Sequence, residues 1–204
     1  MIERVAGLDV SRETMDTLRQ FEGLLRKWNP RINLVSLSTL DDLWQRHIVD
    51  SAQVFALPNP NIDHWVDLGS GGGLPGVVCA ILAKQHAPNA RFTLVESDKR
   101  KAAFLTVCGQ ELELDLTVRA TRAESLDPAR ADIVSARALA PLAQLLPMVV
   151  RHLRPSGVAL LPKGKTYEAE LEAARLEWQF EATAHPSQTD EFARILALKD
   201  IKRV

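Results

Sequence analysis

The chain has 204 residues, of which 46% are hydrophobic and 25% charged, the composition of one globular domain with at most a small appendage. Its formal net charge of −1 argues against a protein that holds nucleic acid by bulk charge. Aromatic residues make up only 5%, which argues against a broad base-stacking surface.

The two cysteines do not form a metal or redox motif. Cys79 and Cys108 lie far apart in apolar stretches, which predicts packed thiols and no zinc site. No apolar run approaches the roughly 18 residues of a membrane span, and the first residues lack the apolar core of a secretory signal. We therefore expect a cytoplasmic protein without a membrane segment.

Residues 1–57 are expected to be helical. Ser11 is a suitable N-cap for a helix over 11–27, and Asn29-Pro30 is expected to end that helix. Apolar residues at helical spacing predict a second helix over 39–55. These helices define a cap, taken as residues 1–60.

Pro58 and Pro60 predict a linker, after which strands and helices alternate over residues 61–204. Such alternation predicts an α/β core with a parallel sheet covered by helices on both faces. The strands are expected at 65–68, 91–95, 116–119, 133–136 and 158–161, with a closing strand at 192–198. The helices are expected at 75–85, 98–112, 139–153 and 166–178.

The most informative segment is a glycine loop that follows the first core strand. Five glycines occur within the eight residues 69–76, and glycine lets a ligand approach the backbone closely. Gly71 to Gly76 match the GxGxxG spacing of dinucleotide-binding folds, but the turn begins two residues earlier, at Gly69. Counted from the strand, the motif is Asp67-x-Gly69-x-Gly71, which is typical of S-adenosylmethionine-dependent methyltransferases. Asp67 is then placed to receive the methionine ammonium group.

Two further segments support a nucleoside cofactor. Glu96 ends the second core strand, 27 residues beyond Gly69, where an acidic side chain accepts hydrogen bonds from ribose hydroxyls. An NAD enzyme uses the same contact, so Glu96 does not choose the cofactor. Arg122-Ala123-Glu124 follows the third core strand, where the methyltransferase loop covers adenine, so Glu124 or its backbone is expected to contact the adenine amino group.

The loop after the fourth core strand, residues 135–141, is expected to meet the substrate. It contains neither the Asp/Asn-Pro-Pro-Tyr/Phe motif of exocyclic amino methylation nor a Pro-Cys nucleophile. Guanine N7 carries a free lone pair and needs no general base, so positioning and charge placement are enough for its methylation. Arg137 fits that chemistry, binding either the cofactor carboxylate or guanine O6; the other interpretation is a structural ion pair.

Taken together, these segments resemble one family, the glucose-inhibited division protein B family of bacterial 16S rRNA guanine-N7 methyltransferases. The resemblance implies a Rossmann-like class I fold with a mostly parallel seven-stranded sheet and a helical N-terminal cap. It also implies S-adenosyl-L-methionine as cofactor and 16S rRNA as partner, in a small ribosomal subunit or assembly intermediate, with the enzyme a monomer. The matching segments are WNPRINL (28–34), HIVDS (47–51), DLGSGGGLPG (67–76), ESDKRK (96–101), RAE (122–124), SARA (135–138) and LPKG (161–164).

The resemblance also implies site residues. Those expected at the cofactor are Gly69, Leu74, Ala123, Glu124 and Arg137, beside Asp67, Gly71 and Glu96 from the motifs. Those expected at the substrate are His47, Asp50 and Lys163, with Arg100 and Lys165 as neighbouring cations; Arg137 and Lys163 are the expected catalytic residues. Arg100 stands where the family often has lysine, and 119–121 lack the glycine or asparagine common there.

Two other functions are compatible with the glycine loop. A small-molecule methyltransferase would have a longer lid over its pocket, and lysine and arginine at the strand ends favour RNA instead. A nucleotide-binding regulator would keep the cofactor site without methyl transfer.

Overall fold

The computed structural model describes residues 3–57 and 62–204, so the expected linker prolines Pro58 and Pro60 lie outside the described residues. The chain begins with an antiparallel hairpin of β1 (Glu3–Val5) and β2 (Leu8–Val10). The prediction that residues 3–10 are helical was therefore wrong. Ala6 and Gly7 both have positive φ, 51° and 82°, which suits a two-residue hairpin turn.

Helix α1 (Arg12–Ile32) begins as expected, with the Ser11 hydroxyl accepting a hydrogen bond from the Thr14 N–H. It continues past Pro30, so the expected end at Asn29-Pro30 was wrong. Proline in the last turn removes only one backbone hydrogen bond. The buried Asn29 side chain accepts from the N–H groups of Leu34 and Val35, the two residues after the C-cap Asn33, and so stabilises the later end.

The second helix begins four residues later than expected. Leu37–Thr39 forms a short 3-10 turn, residues 41–42 form a further turn, and a π-helical segment, Trp44–Val49, then leads into α2 (Asp50–Phe55). A π-helical segment is rare and often lies at a functional site. His47 lies within this one, and Asp50 follows it directly.

The core is a seven-stranded sheet of order β5-β4-β3-β6-β7-β9-β8, in which β9 runs opposite to the other six strands. The expected mostly parallel α/β class is confirmed. The strands are β3 (His64–Leu68), β4 (Arg91–Val95), β5 (Leu116–Arg119), β6 (Ala131–Ser135), β7 (Leu153–Lys163), β8 (Trp178–Pro186) and β9 (Arg194–Arg203). The helices are α3 (Gly76–His86), α4 (Lys99–Glu111), α5 (Leu142–His152) and α6 (Tyr167–Arg175).

Strand β8 was not predicted, and the helix expected over 166–178 ends at Arg175. The signal for β8 is visible in retrospect, because Trp178 and Phe180 are buried while Gln179 and Glu181 are exposed. The alternation is short and gives way to half-buried residues, so it is weaker than the continuous apolar runs of the central strands.

Two apolar layers cover the sheet. Trp65 of β3 faces the layer that contains α1, α3 and α4, whereas its neighbour Val66 faces the layer of α5 and α6. The order of strands reverses beside β3, with β4 on one side and β6 on the other, and ligands of such sheets bind at the carboxyl ends of strands at this point. Among the described residues, no helix is both long enough and apolar enough to cross a membrane.

Candidate active site

The glycine loop leaves β3 in a tight left-handed path. Gly69, Gly71 and Gly73 have φ of 66°, 52° and 81°, a region that favours glycine. The N–H groups of Gly69 and Ser70 both donate to the carbonyl of Val95 at the end of β4, at 2.8 and 3.1 Å. The loop therefore folds over the carboxyl ends of β3 and β4.

Asp67 is fully buried beneath the start of α3. Its Oδ1 accepts a 2.6 Å hydrogen bond from the hydroxyl of Ser135, which in turn accepts from the Trp65 indole N–H. Its Oδ2 accepts no hydrogen bond of good geometry from the described residues. Burial raises the pKa of Asp67 to about 6, against the hydrogen bonds that favour the ionised form. Asp67 is thus an under-satisfied acceptor that a cation would stabilise.

Glu96 ties the glycine loop to the start of α4. Its Oε2 accepts from the Gly71 N–H at 2.8 Å, and its Oε1 accepts from the Asp98 N–H at 2.7 Å. A carboxylate has about four acceptor positions, so capacity remains for ribose hydroxyls. The ribose contact of Glu96 stays a prediction, with the side chain already held in place by two backbone groups.

A cavity of about 330 Å³ opens beside this loop. Three of the eight residues expected at the cofactor line it, Gly69, Ala123 and Glu124. The other five, Asp67, Gly71, Leu74, Glu96 and Arg137, do not. Leu74 is buried in the apolar layer under α1. The lining residues are Gly69, Val95, Ser97, Thr121, Arg122, Ala123, Glu124, Leu139, Ala140, Gln144 and Met148.

His152 supports the wall of this cavity from within the core. Its Nε2 lies 2.8 Å from the carbonyl oxygen of Ala123, and because a carbonyl only accepts, Nε2 carries the proton. Burial lowers the pKa of His152, which keeps the ring neutral. The sequence offered no signal for this role, since a single histidine in a helix is ordinarily a packing residue.

A second cavity, of about 560 Å³, adjoins the first. The two share Leu139 and Ala140 in their walls. Of the residues expected at the substrate, His47, Asp50 and Lys163 line it, together with Arg137. Its remaining lining residues are Thr39, Arg46, Ala138, Pro141, Pro162, Glu170, Ser187, Thr189, Asp190, Ala193, Arg194 and Ile195.

Arg137 connects the fourth-strand loop to the cap. Its Nη1 donates to His47 Nδ1 at 3.1 Å and to Asp50 Oδ2 at 3.3 Å. Burial lowers the pKa of Arg137 from the ordinary value, and Asp50 opposes that shift, so the side chain remains a cation. Within the described residues, its Nη2 and Nε donate to no protein acceptor, which leaves three N–H groups, two on Nη2 and one on Nε, for a ligand.

Lys163 stabilises the loop that contains Arg137 by hydrogen bonds. Its ammonium donates to the carbonyl of Ala140 at 2.9 Å and to Glu170 Oε2 at 2.8 Å. The same Glu170 oxygen accepts from the Leu142 N–H at the start of α5. Lys163 keeps one ammonium proton for a ligand, and its catalytic and substrate-binding roles stay predictions.

The loop between β8 and β9 is held against the cap by a polar network absent from the sequence prediction. Asp50 Oδ1 accepts from Gln53 Nε2 and from the Thr189 hydroxyl, at 2.9 and 2.8 Å. Gln53 also donates to the Ser187 hydroxyl and accepts from the Gln188 N–H. The cap and this loop therefore lie side by side, and both contribute residues to the wall of the larger cavity.

The other two expected cations lie apart from both cavities. Arg100 and Lys165 are exposed and line neither cavity, and the Arg100 guanidinium is 3.4 Å from Asp98 Oδ2. Over the described ranges, no three His, Cys, Asp or Glu side chains are grouped to hold a metal ion.

Comparison with known proteins settles the family. The model of the GidB family, described as rRNA small subunit methyltransferase G, matches residues 14–194. The chain belongs to this family. The methyltransferase class expected from the glycine loop is thereby confirmed.

Curated relatives agree over nearly the full chain. The chain is 52% identical over 198 residues to "Ribosomal RNA small subunit methyltransferase G" of Cereibacter sphaeroides, covering 97% of this chain and 95% of that protein. It is 49% identical over 204 residues to the protein of the same description from Ruegeria pomeroyi, covering 100% of both chains. The resemblance expected from the sequence motifs is confirmed.

Solved structures share the fold at low identity. The mitomycin 7-O-methyltransferase MmcR superposes with a TM-score of 0.61 at 14% identity, covering 93% of this chain and 68% of that one. TYW2 from M. jannaschii, solved with AdoMet, gives 0.58 at 13% identity, covering 86% and 80%. These likenesses place the fold among class I methyltransferases.

Proposed function

We propose that this protein transfers the methyl group of S-adenosyl-L-methionine to N7 of a guanine in 16S ribosomal RNA. The observation that carries the proposal is the hydrogen bonding of the side chains that line the larger cavity. Every described carboxylate and imidazole in its wall is already hydrogen-bonded or ion-paired to protein, whereas Arg137 keeps free N–H groups. A nucleophile that must lose a proton would need a free base; guanine N7 does not.

The smaller cavity and the glycine loop support the cofactor. A Cβ at Gly71 would stand 3.7 Å from its nearest neighbour, the Gly69 carbonyl oxygen, so a ligand can approach the loop backbone closely there. Glu96 is fixed at the loop and keeps acceptor capacity. The Oδ2 atom of the buried Asp67 accepts no hydrogen bond from the described residues, so this carboxylate keeps an acceptor position for the cofactor ammonium group. When bound, S-adenosylmethionine supplies an electrophilic methyl group on its sulfonium.

Arg137 has a role compatible with attack by N7. A guanidinium that donated to N7 itself would occupy the lone pair that attacks, so the free N–H groups serve guanine O6 or the cofactor carboxylate. Both are acceptors that a fixed cation stabilises. The contribution of Arg137 is therefore orientation and charge, not proton transfer.

Support for RNA comes from local charge. Four cations line the larger cavity, Arg46, Arg137, Lys163 and Arg194, against the three carboxylates of Asp50, Glu170 and Asp190, so its wall carries a net charge of +1 on a chain of net charge −1. The relatives named above are described as ribosomal RNA enzymes of the small subunit. We take the substrate to be 16S rRNA in a small subunit or assembly intermediate, and the enzyme to be a cytoplasmic monomer whose cap, residues 1–60, packs on the core, 61–204.

The proposal is tested by mapping the product. The purified protein and S-adenosylmethionine with a labelled methyl group are incubated with small subunits, and separately with naked 16S rRNA, from cells that lack the gene. Digestion and mass spectrometry should place one label on 7-methylguanine at a single position, and the Arg137→Ala variant should give far less. Label on an exocyclic nitrogen, on pyrimidine C5, on ribose or only on a small molecule would overturn the proposal.

A further inference from the structure

His47 is hydrogen-bonded through both nitrogens of its ring. Its Nδ1 lies 3.1 Å from Arg137 Nη1, and its Nε2 lies 2.8 Å from the hydroxyl oxygen of Thr39. The three residues come from the 3-10 turn, the π-helical segment and the fourth-strand loop of the core. Neither ring nitrogen is left for an RNA base.

The hydrogen bonds that run from Arg137 through His47 to Thr39 have only one consistent set of donors and acceptors. A guanidinium donates and cannot accept, so Nδ1 of His47 must be the unprotonated nitrogen. Nε2 then carries the proton and donates to the Thr39 hydroxyl. That hydroxyl donates its own proton to the Ser36 carbonyl, 2.8 Å away. Thr39 thereby selects the tautomer that Arg137 requires.

The surroundings keep His47 neutral. Burial, followed by the charges of Arg137 and Arg46, lowers the pKa of His47 to about 4. The carboxylates nearby are turned to the two arginines, since Asp50 pairs with Arg137 and Asp190 pairs with Arg46. A protonated ring would place an N–H against the guanidinium and lose the bond.

We infer that His47 is a positioning residue, which acts on the substrate only through Arg137. His47 and Asp50 both accept from Nη1, so they fix one end of the guanidinium and leave Nη2 and Nε directed at the ligand. One neutral and one anionic acceptor hold the group while cancelling less of its charge than two carboxylates would. This role rests on the proposed function, because Arg137 is the group that it serves.

The inference is tested first without activity. Nitrogen-edited NMR of the imidazole rings in the whole protein should show His47 as the neutral Nε2–H tautomer at pH 7, with no titration down to about pH 5. Thr39→Val should give a mixture of tautomers, whereas Thr39→Ser keeps the acceptor and should not. A ring protonated on Nδ1, or a cationic ring at pH 7, would overturn the inference whatever the methylated atom is.

The second test separates two substitutions by geometry. The Oδ1 of asparagine lies at about the distance of Nδ1 from the backbone, and the amide of glutamine at about that of Nε2. His47→Asn keeps an acceptor for Arg137, and His47→Gln does not. Loss of a charge-assisted hydrogen bond should lower kcat by about ten- to hundredfold in His47→Gln, and His47→Asn should recover most of that loss. The S-adenosylmethionine affinity should stay nearly unchanged where Arg137 serves guanine O6, and should weaken where it serves the cofactor carboxylate.

A coupling measurement completes the test. The factor by which His47→Gln lowers kcat should be less than half as large in an Arg137→Lys background as in wild type, because the guanidinium that His47 positions is gone. Equal losses in both backgrounds, or a loss in His47→Asn as large as in His47→Gln, would mean that His47 acts independently of Arg137. If methyl transfer goes to another atom, the NMR result still decides the positioning role while the product map alone fails.

Discussion

Leu139 lies directly against Gly69, so closely that a Cβ at position 69 would stand 2.6 Å from Leu139 Cδ1. At Gly71, two residues further, the nearest atom to such a Cβ is the Gly69 carbonyl oxygen, 3.7 Å away. Both glycines have positive φ. Substitutions at these two glycines therefore share the cost of backbone strain, and only the one at Gly69 adds the cost of crowding against Leu139, at the point where the two cavities meet.

We expect Gly71→Ala to lower the free energy of unfolding by about 1 kcal/mol, because a side chain at positive φ is strained in the folded chain. Gly69→Ala should lower it further, because Leu139 must also move. Urea unfolding gives both free energies. Gly23→Ala, in the exposed face of α1 with open space around it, is the matched control and should lose no stability. Equal losses in the two loop variants would show that Leu139 can move aside without cost.

Asp67 gives a prediction for stability. Burial raises its pKa from 3.8 to about 6, so the folded protein keeps a proton that the unfolded chain loses between these values. The stability that this proton contributes is present below about pH 4 and lost as pH rises through about 6. Relative to wild type, Asp67→Asn should therefore gain about 3 kcal/mol in the free energy of unfolding between pH 4 and 8. Urea titrations across that range measure the difference, and a constant difference would contradict it.

Asp67 also gives a prediction for binding. If it receives the ammonium group of the cofactor, its pKa must fall on binding. The complex should release a fraction of a proton at pH 6 and almost none at pH 8. Calorimetry in buffers of different ionisation enthalpy counts these protons. No release at pH 6 would remove Asp67 from the set of cofactor residues.

Substitutions of Arg137 test positioning against base catalysis. Arg137→Ala should lower the single-turnover rate of methyl transfer strongly, and Arg137→Lys should restore it only in part because lysine lacks the planar fork. The wild-type rate should stay flat between about pH 6 and 8, since no free base in the cavity has to ionise. A steep rise with pH, or full activity in Arg137→Ala, would assign different chemistry to this loop.

Lys163 and Glu170 should behave as a coupled pair in stability. Burial opposes ionisation of Glu170, but Lys163 and the Leu142 N–H hold its pKa below the ordinary value. Their contribution is present above the ordinary pKa of glutamic acid and is lost as pH falls through the lowered one. In urea unfolding at pH 7, Lys163→Gln and Glu170→Gln should together cost about 1 kcal/mol less than the sum of their separate effects. If the two stability losses simply add, Lys163 and Glu170 do not stabilise each other, and the Lys163 ammonium is available to act on the ligand.

The sequence predicts elements well where local chemistry decides them. The glycine loop, the strand over 91–95 and the Ser11 cap each depend on residues within a few positions, and each lies where expected. The β1–β2 hairpin was missed because its turn uses Ala6 at positive φ, which composition does not reveal.

The contacts of the site depend on long-range packing and could not be read from spacing. His47 and Arg137 are 90 positions apart, and Asp67 and Ser135 are 68 apart. Motifs indicated which of these residues carry chemistry, but the folded chain decides which atom each one faces. Lys163, for example, was expected at the substrate and has most of its hydrogen-bonding capacity directed at Ala140 and Glu170.

The position of β9 has a consequence for synthesis. Strand β8 reaches the sheet only through β9, which lies between it and β7, and Arg194 and Ile195 at the start of β9 also line the larger cavity. A growing chain that has emerged as far as β8 therefore has neither a completed sheet edge nor a closed substrate wall. Loss of β9 would therefore remove part of the substrate wall together with the pairing that joins β8 to the sheet.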